Sequence, residues 1–71
     1  MSVEFEFFVY LLEQYAYEKG RSAGEILNQW DEHGVTEEIF AGYFQYHQEA
    51  IEYAFADIDA LVASGKHAPV A

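Results

Sequence analysis

The chain has 71 residues, 13 acidic against three basic, giving a formal net charge of −10, yet 52% of it is hydrophobic. One Trp, six Tyr and six Phe exclude a disordered acidic tail, and the absence of Cys excludes disulfides and thiolate metal sites. Three basic residues are too few to displace counterions from nucleic-acid phosphates or to hold an anionic membrane surface.

Phe5, Phe8, Leu12 and Tyr15 recur at three and four residues, with Phe7 and Leu11 on a neighbouring stripe. That spacing predicts a first helix over about 3–19, closed by Lys19 in its last turn and by Gly20. The apolar run Phe7–Leu12 is far short of the roughly 20 residues of a membrane span. No basic segment followed by an apolar one opens the chain, so the expectation is a cytoplasmic protein.

Ser22 and Glu25 form an S-x-x-E capping box ahead of the stripe Ala23, Ile26, Leu27 and Trp30. A short second helix over about 23–33 follows, stopped by Gly34. Thr36 is the expected N-cap of the next segment, with Glu37 and Glu38 in its first turn, where the helix dipole favours anions. From there Phe40, Phe44, His47, Ile51, Ala54, Ile58 and Leu61 step alternately by four and three, a heptad-like seam widened by Phe55 and Val62. Gly42 and the stretch 43–47 mark a kink or break, so 37–63 is either one bent helix or two. Ser64 and Gly65 end it. The predicted fold is an all-α bundle of three to four helices, a single domain over 1–64 with a loose tail at 65–71.

The side chains that carry chemistry do not assemble into a catalytic motif. His33, His47 and His67 lack the i, i+4 pairing that puts two ligands on one helix face. His33 fits a helix C-terminus, His67 the tail, and His47 a hydrogen-bonded core or interface position on the seam. Asp57 and Asp59 differ by two and point apart on a helix. One Arg and two Lys leave little to hold an anionic transition state, so neither enzyme activity nor a metal or cofactor is expected. Glu38, Glu49, Glu52 and Asp59 share the face opposite the seam, a solvated face that would also complement a basic surface. Trp30 is expected to dock on the first and third helices, or else to anchor an interface.

Three stretches carry a resemblance: FFVYLLEQYA at 7–16, SAGEILNQWDEHGVTE at 22–37 and YFQYHQEAIEYAFADIDAL at 43–61. They resemble a family of small bacterial proteins known only as a domain of unknown function. The matching positions are Trp30, Asp31, Gly34, Tyr46, His47, Glu49, Ala54, Asp57 and Ile58. The resemblance implies a bulky residue where Gly42 stands, and genes placed beside a predicted ADP-ribosyltransferase-like protein, hence an antitoxin role. His47 and Asp57 would form a buried hydrogen bond between helices or line a partner-facing surface.

The chain carries more large apolar groups around 7–12 and 43–47 than one small core hides, and surplus aromatic surface marks a partner or a second copy. The expected function is a non-catalytic protein-binding module, an antitoxin or inhibitor that occludes a partner encoded nearby. The alternatives are an acidic nucleic-acid mimic of the phage counter-defence type and a homo-oligomeric structural module, a homodimer being the simplest. The partner-binding candidates are Phe7, Tyr10, Trp30, Tyr43, Tyr46, His47, Glu49, Glu52, Tyr53 and Asp57.

Overall fold

A computed structural model describes residues 2–69. It comprises α1 (Val3–Lys19), α2 (Ala23–Glu32), α3 (Thr36–Ala41), α4 (Tyr43–Tyr46) and α5 (Ile51–Ser64), with no strand among the described residues. The first two helices lie where local signals place them. Ser2 Oγ accepts the Phe5 amide at 3.1 Å and opens α1. At its end Gly20 adopts φ 67°, the Gly20 amide donates to Tyr17 and the Arg21 amide to Ala16, which closes the helix as a Schellman motif. Ser22 and Glu25 cap α2 reciprocally, each side chain accepting the other's amide at 3.1 Å. The same Schellman closure recurs at Gly34, where the Val35 amide reaches the Trp30 carbonyl at 3.0 Å.

The segment after Gly34 departs from expectation in two ways. Val35, not Thr36, is the N-cap of α3, and no side chain caps it: Thr36 is already the first helical residue, with its hydroxyl donating back to Asp31 Oδ1. The expected single or twofold helix over 37–63 is instead three pieces. The first break is at Gly42, where a Cβ would stand 2.5 Å from Cε2 of Tyr46. The bulky residue implied at 42 is excluded by that ring. The second is at 47–50, where the turn closes through long bonds of 3.3 and 3.4 Å and Ala50 turns extended.

These breaks rotate the seam. Ala54, Ile58 and Leu61 on α5 are buried as expected, with Ile51, Phe55 and Val62 half-buried. Phe40, Phe44 and His47, in step with them along the chain, are exposed, and Ile39 and Tyr46 take the core positions instead. A heptad seam needs one uninterrupted helix to keep its residues on one face.

Trp30 is fully buried at the centre, with the Phe8 ring 5.9 Å and the Tyr15 ring 5.6 Å from its own. Leu11, Ile26, Ile39, Ile58 and Leu61 complete the core around it. Docking of Trp30 on the first helix is thus met, and its role as an interface anchor is not. Its Nε1–H has no acceptor among the described residues, an arrangement that costs about 1–3 kcal/mol. No helix among the described residues is long and apolar enough to cross a membrane.

Candidate protein-docking surface

The break at Gly42 sends the side chains of α4 in opposite directions. Tyr46 points inward, while Tyr43, Phe44 and the C-cap residue His47 gather beside α1. The His47 imidazole stacks on the Tyr43 ring at 4.3 Å with 4° between planes. Its Nδ1 donates to the Tyr43 carbonyl at 2.6 Å; a carbonyl only accepts, so this nitrogen holds the proton. Nε2 has no protein partner among the described residues. Phe7 of α1 meets this stack edge-on, 5.5 Å from Tyr43 and 6.3 Å from His47. Tyr10 lies 6.2 Å from Phe7 on one side and Phe44 lies 5.8 Å from His47 on the other. Phe7 and Tyr43 are half-buried and act as the base; Tyr10, Phe44 and His47 are exposed, Phe44 at 72%.

Five rings from two helices therefore form one contiguous apolar surface. Amphipathic rings with one wet edge suit an interface, because they lose little conformational entropy on contact. Four expected residues, Phe7, Tyr10, Tyr43 and His47, are brought together here. Phe44, expected on the core seam, is instead exposed, more so than Tyr10. Glu49, Glu52 and Tyr53 are exposed on the following turn and on α5, and among the described residues no ring contact joins Tyr53 to the cluster.

Three other expected partner contacts lie inside. Trp30 fills the core, and Tyr46 and Asp57 are both buried because they bind each other. The Tyr46 hydroxyl donates to Asp57 Oδ2, His67 Nδ1 donates to the same oxygen at 2.7 Å, and the Ala68 amide donates to Oδ1 at 2.7 Å. His67 Nε2 donates to Glu38 Oε1 at 2.5 Å. With a carboxylate at each ring nitrogen, His67 is an imidazolium.

Electrostatics follow the geometry. Hydrogen bonds to Asp57 and then Glu38 raise the His67 pKa above its ordinary value. Burial pushes Asp57 upward, but the bonds from Tyr46, His67 and Ala68 outweigh it and hold the carboxyl below its ordinary value. Burial, then the Asp57 bond, raises the Tyr46 phenol. Of the tail, 65–69 falls within the described residues, and there His67 and Ala68 are tied to α5; positions 70 and 71 lie outside them.

Asp57 is thus the buried polar link that the resemblance allowed, but its partners are Tyr46 and His67, not His47. The expected acidic face also divides. Glu38 holds His67, and Asp59 accepts from the Tyr15 hydroxyl at 2.6 Å and pairs with Lys19 at 3.0 Å. Glu49 and Glu52 remain exposed. Among the described residues no group of three His, Asp or Glu side chains is arranged to hold a metal ion.

Comparison with curated proteins and with solved structures gives no match. A family match spans residues 6–64, from the first turns of α1 through the end of α5, and so takes in both the aromatic cluster and the Asp57 carboxylate. The chain belongs to the family described as protein of unknown function (DUF3791).

Proposed function

We propose that this chain is a non-catalytic protein-binding module that restrains a bacterial partner protein by covering its working surface, as an antitoxin or inhibitor does. The observation that carries the reading is the exposed aromatic surface of Tyr10, Phe44 and His47, backed by Phe7 and Tyr43, on a chain of net charge −10. Apolar rings supply the contact, and the negative field steers a basic partner toward it. Nucleic-acid mimicry is less favoured, since Glu25, Asp31, Glu38, Asp57 and Asp59 are engaged in internal hydrogen bonds and are not presented as a phosphate-like array.

The resemblance implies the partner to test, an ADP-ribosyltransferase-like protein of the kind often encoded beside genes of such a family. Calorimetry with that protein should give a complex with the wild-type chain. In Phe44→Ala/His47→Ala, affinity should fall by at least about tenfold, about 1.4 kcal/mol, with the helical content unchanged. No complex with the wild type, or an equally tight one with the double variant, would overturn the reading.

A further inference from the structure

The outer face of α1 continues the aromatic cluster. Val3, Glu6, Tyr10, Glu13 and Tyr17 follow one another at steps of three, four, three and four, and all five are exposed, Val3 at 62%, Tyr10 at 52% and Tyr17 at 85%. At 3.6 residues per turn they form a single stripe, opposite the face through which Phe8, Leu11, Leu12, Tyr15 and Ala16 enter the core. The stripe is about 21 Å long, two heptads, and at Tyr10 it joins the cluster through Phe7.

The composition of the stripe is unusual for a solvated face. Apolar and aromatic groups alternate with carboxylates, and no Lys or Arg lies among them. Lys19 pairs with Asp59 and Arg21 with Glu25, so neither neutralises it. Among the described residues no ion pair engages Glu6 or Glu13.

We infer that this stripe docks a basic amphipathic helix of the partner protein, one that presents Arg or Lys at heptad spacing. Such a helix lays its cations over the Tyr10 and Tyr17 rings and against Glu6 and Glu13, joining cation–π contact to charge pairing. The 3-4 stepping matches the period at which one helix meets another. A second copy of this chain is the wrong occupant. It would set the same two carboxylates against their counterparts, between two bodies each of charge −10. The inference rests on the proposed docking role and names the chemistry of what is docked.

The test is a titration of the isotope-labelled full chain with a synthetic helical peptide carrying Arg at its heptad a and d positions and Ala elsewhere, followed by nuclear magnetic resonance. Shift changes are expected at Val3, Glu6, Tyr10, Glu13 and Tyr17. Glu6→Lys/Glu13→Lys, two exposed changes on a folded helix, should weaken the peptide by at least about tenfold, and raised salt should weaken the wild type as well. No binding, shifts spread evenly over all acidic positions, or equal affinity in the double variant overturns the inference. Those results leave the docking role standing, because that role fails on the Phe44→Ala/His47→Ala variant, and neither substituted residue belongs to the stripe.

Discussion

Two regions meet on the four residues of α4, and they treat aromatic rings in opposite ways. Tyr46 is 2% exposed, with its hydroxyl on the Asp57 carboxylate, whereas Phe44, two residues earlier, stands out at 72%. The rings are alike in size and apolar area, so hydrophobicity does not sort them. Tyr46 goes inward because a buried acceptor waits for its hydroxyl and because Gly42 leaves the space its ring occupies. Phe44 has no polar atom to satisfy and no such space. The inner region converts an aromatic side chain into stability, and the outer one leaves three rings in water, which is the surface the proposed docking role uses.

The comparison breaks most sharply at Tyr46. Tyr46→Ala is expected to cost about 3–5 kcal/mol, comparable with the whole stability of a small domain, and chemical denaturation should show a largely unfolded chain. Gly42→Ala drives a methyl into the same ring from the other side. Since Tyr46 is pinned by Asp57, the ring has little room to give, and a loss of about 1–3 kcal/mol is expected by thermal melting.

Next in size is the response to pH. His67 is raised from its ordinary 6.5, so its contribution is full below 6.5 and is lost as pH rises through the folded-state value. Asp57 is lowered from its ordinary 3.8, so its contribution is full above 3.8 and is lost as pH falls through the folded-state value. Together they stabilise most between those two pH values, and melting curves of wild type against His67→Gln should differ most there and converge only once pH has passed the folded-state value of His67. The smallest effect belongs to the outer region. Phe44→Ala should change stability by no more than about 0.5 kcal/mol, and a larger loss in denaturant titration would mean that the ring is part of the core.

The same contrast explains what was legible in the sequence. The first two helices could be placed because their ends are local events: Lys19 before Gly20, Ser22 facing Glu25, and Gly34 closing on Trp30. The third segment is legible only in part: Gly42 and 43–47 mark an interruption, but the 4-3 stepping from Phe40 to Leu61 runs on through it and hides that there are two breaks. Which residues then face the core depends on contacts the local pattern does not show, the Tyr46 ring against Gly42 and the Tyr46 hydroxyl on a carboxylate eleven residues away. Aromatic richness at 43–47 was a sound signal that surface lay there, but it does not report which ring faces out. His67 gave no signal at all. It sits beyond Gly65, and its two carboxylate partners come from α3 and α5.

The central claim is that the outward-facing rings of α1 and α4 are a contact surface. Hydrogen exchange on the chain mixed with the proposed partner, an ADP-ribosyltransferase-like protein, tests it most directly. The account expects new protection at Tyr43–His47 and along α1 around Phe7 and Tyr10, with α5 unchanged. Protection confined to α5, with the amides of α1 and α4 exchanging as they do in the free chain, would contradict it.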